Sequence, residues 1–284
     1  KIAGKHNSHR IVGVENLLAD ARASGPTIAN MYPYAAGSTM GTAIFPPEVR
    51  RGSRAEFIAR LGDDNVRARI YEKVRGDRTS WDNFVGFCGG LSGIQVAGVH
   101  NRADDHFLGQ RLDAVAAAAQ ASDPGSREAM DAVIDFFVRN QLDVTIISHF
   151  GEAPIVERFF ARDDMAICTD GLMPGPGQQP HPRLLGSFPR ALRMAREQLI
   201  PLEKIIYRMS VMPMRFLALE DPTLRAGADA SLVLLDWEAV TDRNSFDDPL
   251  VDNHGIDSVW VHGARVSADG QMLPNRPRNG RILL

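Results

Sequence analysis

The residues best suited to chemistry lie in the segment 166–171, where a short apolar run ends in Asp170 and Gly171. Three apolar residues in a row before Thr169 predict a buried strand. A carboxylate at the carboxyl end of a buried strand is where α/β barrels place catalytic groups. An Asp-Gly pair also forms turns or caps the next helix. We interpret Asp170 as a catalytic carboxylate and keep a turn-forming aspartate as the alternative.

Further hydrogen-bonding side chains follow other predicted strands. The segment 31–39 (Met-Tyr-Pro-Tyr-Ala-Ala-Gly-Ser-Thr) carries Tyr32 and Ser38, whose hydroxyls can donate hydrogen bonds to a carboxylate or an acyl carbonyl. His149 ends the run 144–149, where a metal ligand or a general acid could lie, the alternative being a hydrogen-bonded structural histidine. Arg183 follows His181 and Pro182 in a loop that leads from Asp170 into a basic helix.

Composition narrows the function classes. The chain has 284 residues, 44% of them hydrophobic, with a net charge of −3, so it can bury a full core and lacks the basic excess of nucleic-acid-binding proteins. No apolar run has the length of a membrane span. Cys88 and Cys168 both lie in apolar segments, which is typical of reduced thiols. We therefore expect a cytoplasmic enzyme that binds a small molecule rather than a nucleic acid or a membrane.

The elements that must position these residues alternate between helix and strand. Apolar spacing and a capping box at Ser53 and Glu56 predict helices, and β-branched or apolar runs predict strands between them. The predicted strands are 27–31, 144–147 and 165–168, and the predicted helices include 10–24, 153–161, 188–197 and 202–212. This alternation predicts an α/β fold with parallel strands. Beyond residue 225 the period becomes two, as in 230–235 and 258–263, so we place a domain boundary near residue 220.

Taken together, these motifs resemble the amidohydrolase superfamily, and most closely its D-aminoacylase branch, the N-acyl-D-amino-acid deacylases. The matching segments are 166–171 with His181-Pro182-Arg183, the Tyr-Pro-Tyr segment 31–39, the run 224–236, and the β segments 259–263 and 280–283. Ser231 departs from this pattern, because the family usually has a structural aspartate there.

For the fold, the resemblance implies the C-terminal half of a (β/α)8 TIM barrel. Residues 1–220 would form the partial catalytic domain, with a long insertion at about 40–140, and residues 221–284 a small β-sandwich segment. The superfamily binds metal through a His-x-His pair and further ligands, of which this chain has only Asp170. We therefore expect the N-terminal half of the barrel as a partner, in the same or another chain.

For the chemistry, the resemblance implies zinc-dependent hydrolysis of the amide bond of N-acyl-D-amino acids, with one or two zinc ions. Asp170 would be the general base and a metal ligand, and Arg183 would bind the substrate α-carboxylate, with Tyr32 and Ser38 completing that pocket. The first residues, from Lys1 to Gly4, resemble the end of a His-x-Lys-x-x-Gly strand, so Lys1 would be a substrate-side cation, or else simply a solvated residue. The alternatives are another amidohydrolase reaction, such as cyclic-amide hydrolysis, and a metal-free homologue without catalysis.

Overall fold

The computed structural model describes residues 2–77, 79–278 and 280, and the chain divides into two compact units. The first unit comprises Lys1–Gly13, Tyr34–Val156 and Leu172–His181. The second comprises Val14–Pro33, Glu157–Gly171 and Pro182–Leu284. This division does not test the boundary predicted near residue 220, which stays a prediction.

Helices and strands alternate along most of the described chain, which confirms the predicted α/β content. The helices are α1 (Ile11–Ser24), α2 (Arg54–Leu61), α3 (Asp64–Gly76), α4 (Phe84–Phe87), α5 (Leu112–Ala118), α6 (Arg127–Arg139), α7 (Ala153–Phe160), α8 (Arg183–Glu197), α9 (Leu202–Ile206) and α10 (Met212–Phe216). The strands are β1 (Ala29–Met31), β2 (Gly37–Met40), β3 (Ile94–Gly98), β4 (Thr145–Ser148), β5 (Met165–Ile167), β6 (Leu232–Leu235), β7 (Ile256–Val261), β8 (Ala264–Ala268) and β9 (Gln271–Met272). A π-helical turn, Tyr207–Val211, joins α9 to α10.

The first unit is built on a three-stranded sheet with β4 in the centre, antiparallel to both β2 and β3. The prediction of a parallel strand at 144–147 is therefore correct in its position and wrong in its orientation. Its partners are segments that sequence patterning did not assign to strands. Helices α2 to α6 supply most of the core, in which Phe45 packs edge-to-face against Phe57 and Phe137. Such aromatic pairs contribute directional packing beyond their buried area.

Local signals in the sequence explain where the helices of this unit begin. Ser53 caps α2 by accepting from the Glu56 backbone N–H, and the Glu56 carboxylate accepts from the Ser53 N–H. This is the predicted capping box, and it satisfies two backbone donors that the first turn leaves unpaired. Ser126 caps α6 in the same way, by accepting from the Ala129 N–H.

The second unit contains two sheets. Strands β1 and β5 form a parallel pair, and β6 to β9 form an antiparallel meander in sequence order. Its core lies beside β5, where Ile167 packs with apolar residues of α8 and α9. Within the described residues, no helix has the length and apolar character that a membrane crossing requires.

Candidate active site

Asp170 follows the carboxyl end of β5 in the second unit. Residues of β1 and β5 lie side by side, Met31 against Ile167, and the Cys168 N–H extends the pairing by donating to the Met31 carbonyl at 2.9 Å. Because parallel strands end at the same edge, Tyr32 and Asp170 leave the sheet together. The parallel pairing of these two strands therefore places Tyr32 and Asp170 at the same edge of the sheet.

The chain bends sharply at Asp170. Its φ is +47°, in the left-handed region that Asn, Asp and Gly adopt most readily. The Gly171 N–H donates to the Thr169 hydroxyl at 3.2 Å and stabilises this bend. The bend leaves the Asp170 side chain 54% exposed, so its carboxylate is open to solvent and to small molecules.

Arg183 lies against this carboxylate. Its Nη1 lies 3.0 Å from Asp170 Oδ2 in an ion pair, although the Arg183 side chain is only 2% exposed. The guanidinium also stacks over the Tyr32 ring, 4.6 Å from the ring centre. Arg183 is the first residue of α8, so its prediction as a loop residue is wrong; the loop ends one residue earlier, at Pro182.

The surroundings change the acidity of two neighbouring groups. Burial raises the pKa of Tyr32, an effect that the positive charge of Arg183 opposes. Burial also raises the pKa of Cys168, and the negative charge of Asp170 adds to that effect. The Cys168 thiol donates to Asn30 Oδ1 at 3.3 Å. Both groups therefore stay protonated at neutral pH, as neutral hydrogen-bond donors beside the ion pair.

Asn30 and Cys168 belong to this cluster, but sequence reasoning gave them no role in it. The signal that could have found them is their position within or directly after the two strands that precede Tyr32 and Asp170. In the observed register Asn30 lies opposite Ala166. A residue pair across two neighbouring parallel strands is readable only once their pairing is known.

The remaining predicted site residues belong to the first unit or fall outside the described residues. Ser38 is in the first unit, on β2 opposite Ile147. His149, also in the first unit, shares a hydrogen bond of 3.1 Å between its Nε2 and Gln95 Oε1, and its backbone N–H donates to the Gly93 carbonyl. Lys1 lies outside the described residues. The structure thus brings Tyr32, Asp170 and Arg183 together.

His181 precedes Arg183 in sequence and is buried in the first unit. One of its ring nitrogens lies 3.0 Å from the Ala36 carbonyl, and its ring meets Tyr34 edge-on. These contacts give His181 a role in fixing the loop that follows the Tyr-Pro-Tyr segment.

The family resemblance implies zinc, so the side chains at this site must supply its ligands. Protein zinc sites use three or four Cys, His, Asp or Glu ligands. Among the described residues there is no group of three or more such side chains that could hold a metal ion. Asp170 has a guanidinium as its near neighbour, and a cation there opposes metal binding. The described residues do not by themselves fit a zinc site.

Similarity to known proteins extends over nearly the whole chain. The chain is 31% identical over 267 residues to N-acyl-D-glutamate deacylase of Alcaligenes xylosoxydans xylosoxydans, an alignment that covers 93% of this chain and 42% of that protein. No protein-family model matches. The chain thus spans less than half the length of the curated relatives that it matches along nearly its whole length.

Solved structures show the same relation. A D-aminoacylase mutant in complex with CuCl2 superposes with a TM-score of 0.70 at 26% identity, covering 100% of this chain and 48% of that one. The N-acyl-D-glutamate deacylase of Bordetella bronchiseptica, complexed with zinc and a phosphonate mimic of the tetrahedral intermediate, shares the fold with a TM-score of 0.67 at 24% identity, over 98% of this chain and 46% of that one. The resemblance that the sequence predicts is therefore confirmed, and the chain is a homologue of the D-aminoacylase branch of the amidohydrolases.

Proposed function

We propose that the assembled protein to which this chain contributes hydrolyses the amide bond of N-acyl-D-amino acids, releasing a carboxylate and a D-amino acid. The observation that carries the proposal is the Asp170 carboxylate at the end of β5, held by Arg183. Its support is the similarity of 93% of the chain to an N-acyl-D-glutamate deacylase. The chain matches less than half of that protein, so the activity belongs to the assembled protein.

Asp170 acts as the general base in this proposal. Its exposed carboxylate takes a proton from the attacking water, and the same proton passes to the amine as the C–N bond breaks. The hydrogen bond from the Gly171 N–H to the Thr169 hydroxyl stabilises the turn that carries Asp170. Asp170 gains one proton and loses one proton in each cycle, so its carboxylate is regenerated for the next substrate.

Arg183 recognises the free α-carboxylate of the substrate, with Tyr32, Ser38 and Lys1 completing the pocket. A guanidinium carries five N–H donors in a plane, which suits a carboxylate better than an ammonium does. The Tyr32 ring fixes that plane from one face. His149 remains a candidate general acid in the assembled protein, although its ring is hydrogen-bonded to Gln95.

Zinc, as one or two ions, is the proposed cofactor of the assembled protein, where it would polarise the amide carbonyl. Asp170 would be its one ligand from the described residues, with the other ligands lying outside them. Support comes from the B. bronchiseptica relative, whose structure is a zinc complex. The roles proposed for Asp170 and Arg183 do not require a metal held by this chain alone.

The architecture proposed for the assembled protein is a (β/α)8 barrel with a β-sandwich. Residues 1–220 would give the C-terminal half of the barrel, including an insertion at about 40–140, and residues 221–284 part of the sandwich. The parallel pair β1–β5 and the meander β6–β9 support these two assignments. The N-terminal half would come from the same or another chain, and we propose a cytoplasmic location.

The deciding experiment compares substrates with the full-length protein. N-acetyl-D-amino acids should be hydrolysed, whereas hydantoins and dihydropyrimidines should not, since these cyclic amides lack the free α-carboxylate. The reverse preference would favour cyclic-amide hydrolysis. A protein without bound metal and without activity on either class would be a non-catalytic homologue.

A further inference from the structure

A cavity in the first unit is lined by none of the catalytic or substrate-binding candidates named above. Its volume is about 450 Å³, within the ~300–1,000 Å³ that is typical of small-molecule sites. Four aromatic side chains form part of its lining, namely Trp81, Phe84, Phe87 and Phe150. Phe84 meets Phe87 at 6.1 Å and Phe150 at 6.4 Å between ring centres, both at steep angles. This edge-to-face cluster gives the cavity an apolar wall.

The wall is held by a buried asparagine. Asn83, fully buried, donates from Nδ2 to the carbonyls of Val74 at 2.7 Å and Asp77 at 2.9 Å. Its Oδ1 accepts from the Gly86 N–H at 2.9 Å and so caps the short helix α4. Since α4 carries Phe84 and Phe87, this bonding fixes the aromatic wall before any ligand arrives, which lowers the entropy cost of binding.

Two opposite charges line the same cavity. Arg10, at the end of the 3-10 helix Lys5–Arg10, contributes a cation, and Asp82, beside Trp81, contributes a carboxylate. Within the described residues neither side chain forms an ion pair or a hydrogen bond, and the two do not pair with each other. The cavity therefore offers one positive group, one negative group and an aromatic surface.

We propose that this cavity binds a free amino acid with an aromatic or aliphatic side chain. The ligand carboxylate lies against Arg10, its ammonium lies against Asp82, and its side chain packs on Trp81 and Phe84. A zwitterion is the small-molecule class that satisfies both charges at once, and a guanidinium matches a carboxylate in geometry. The proposal is independent of the hydrolysis proposed above, because it concerns binding to the first unit alone.

Binding is tested directly on the 284-residue chain with D- and L-phenylalanine, by calorimetry and by tryptophan fluorescence. Two analogues each remove one charge, phenylalaninamide the carboxylate and N-acetylphenylalanine the ammonium. Each should bind about tenfold more weakly than phenylalanine, because one cavity charge is then left without its partner. Trp81→Phe should abolish the fluorescence change while calorimetric binding persists.

Two variants assign the charges. Arg10→Gln should erase the preference for phenylalanine over its amide, and Asp82→Asn should erase the preference over the N-acetyl form. Arg54→Gln and Asp20→Asn alter exposed charges outside the cavity and should change neither preference. Both cavity variants change exposed side chains, so their melting temperatures should equal that of the unchanged chain.

Three results would overturn the proposal. One is the absence of binding by either enantiomer at concentrations up to about 10 mM. Another is equal affinity for phenylalanine and both analogues, which would show that the site binds the apolar side chain and does not recognise the ligand's charges. The last is the retention of both preferences in Arg10→Gln and Asp82→Asn. Loss of amide hydrolysis in the full-length protein would leave all of these binding results unchanged, so the two proposals fail separately.

Discussion

At the scale of single residues, the backbone at Asp170 makes one substitution unusually informative. The left-handed φ there suits asparagine as well as aspartate, so Asp170→Asn keeps the bend and the side-chain size while it removes the proposed base. In the full-length protein we expect kcat to fall by about 10²–10⁴, the usual contribution of a general base. Steady-state kinetics would measure this, beside metal content and melting temperature.

The control for that experiment lies in the same turn. Thr169→Val removes the hydroxyl that accepts from the Gly171 N–H and leaves the carboxylate in place. If Asp170 only formed the turn, the asparagine variant would be fully active and the valine variant would be the more damaging one. An Asp170→Asn enzyme with more than about a tenth of the original kcat would show that another group is the base.

Arg183 allows a test of substrate recognition. Arg183→Lys keeps the positive charge but loses the planar stack on Tyr32 and the paired N–H donors. We expect kcat/KM for N-acyl-D-amino acids to fall by an amount equivalent to about 2 kcal/mol or more. The corresponding N-acyl amino acid amides, which lack the carboxylate, should lose much less. Equal losses on both substrate classes would assign Arg183 to holding Asp170 alone, whereas Arg225→Lys, at an exposed site, should leave both unchanged.

Cys88 gives a prediction about pH. Burial raises the pKa of its thiol to about 12, although the neighbouring Ser148 hydroxyl opposes the shift. A raised pKa means that the protonated thiol stabilises the fold at lower pH, and that this stabilisation is lost as the pH rises towards about 12. In Cys168→Ser, which leaves one thiol, alkylation of the folded protein should keep accelerating with pH well above 9. The urea-unfolded chain is the control, and a plateau near pH 9 in the folded protein would contradict the prediction.

At the scale of elements, Arg208 connects three segments of the second unit. From the π-helical turn its Nε donates to the Met165 carbonyl at 2.7 Å and its Nη1 to the Phe160 carbonyl at 2.9 Å. It thereby holds the start of β5 to the end of α7, and Asp170 follows the other end of β5 after two further residues. Burial lowers the pKa of Arg208, yet these carbonyls compensate part of the cost of burying its charge.

Arg208→Met should therefore destabilise the chain while preserving side-chain bulk. Two buried carbonyls lose a charged donor, for which we expect a loss of about 3 kcal/mol in the free energy of unfolding. Urea unfolding would measure this as a lower midpoint at an unchanged slope. Arg225→Met, which breaks only an exposed ion pair, should leave the midpoint where it is. A midpoint in Arg208→Met equal to that of this control would refute the structural role.

The strands show which parts of the fold are readable from sequence. Strands β1, β4 and β5 coincide with apolar or β-branched runs, and the sequence predicts their positions within a few residues. Strand β2 is Gly-Ser-Thr-Met and has no apolar alternation, so it carries no signal of its own. Strand β3 follows a glycine-rich stretch and is buried at every position, without the period of two that marks a half-exposed strand. Because β2 and β3 are the partners of β4, the direction of pairing could not be predicted either.

At the scale of the whole molecule, some features of the candidate site can be recognised from sequence motifs, and others arise only when the chain folds. The motifs single out Tyr32, Asp170 and Arg183, and the parallel register of β1 and β5 explains why the first two meet. The ion pair between Asp170 and Arg183 has no local signal, because a loop of twelve residues (171–182) separates them in sequence and the beginning of α8 at Arg183 sets the distance. The sequence motifs therefore name these three residues, whereas the contacts between them become visible only in the folded structure.

The metal gives the last prediction, and it concerns the chain as a whole. Zinc bound with high affinity needs three or more protein ligands, whereas the described residues contain no such group and Asp170 is already paired with a cation. Calorimetric titration of the 284-residue chain should therefore give a zinc dissociation constant weaker than about 1 μM. Asp170→Asn should change that value little, since a single carboxylate contributes weakly by itself. Stoichiometric binding tighter than about 1 μM that Asp170→Asn abolishes would show that this chain holds a complete site. In a full-length protein of the length of its relatives, the same substitution should weaken a site that other ligands already hold, so the effect of Asp170 on zinc affinity should appear only when those ligands are present.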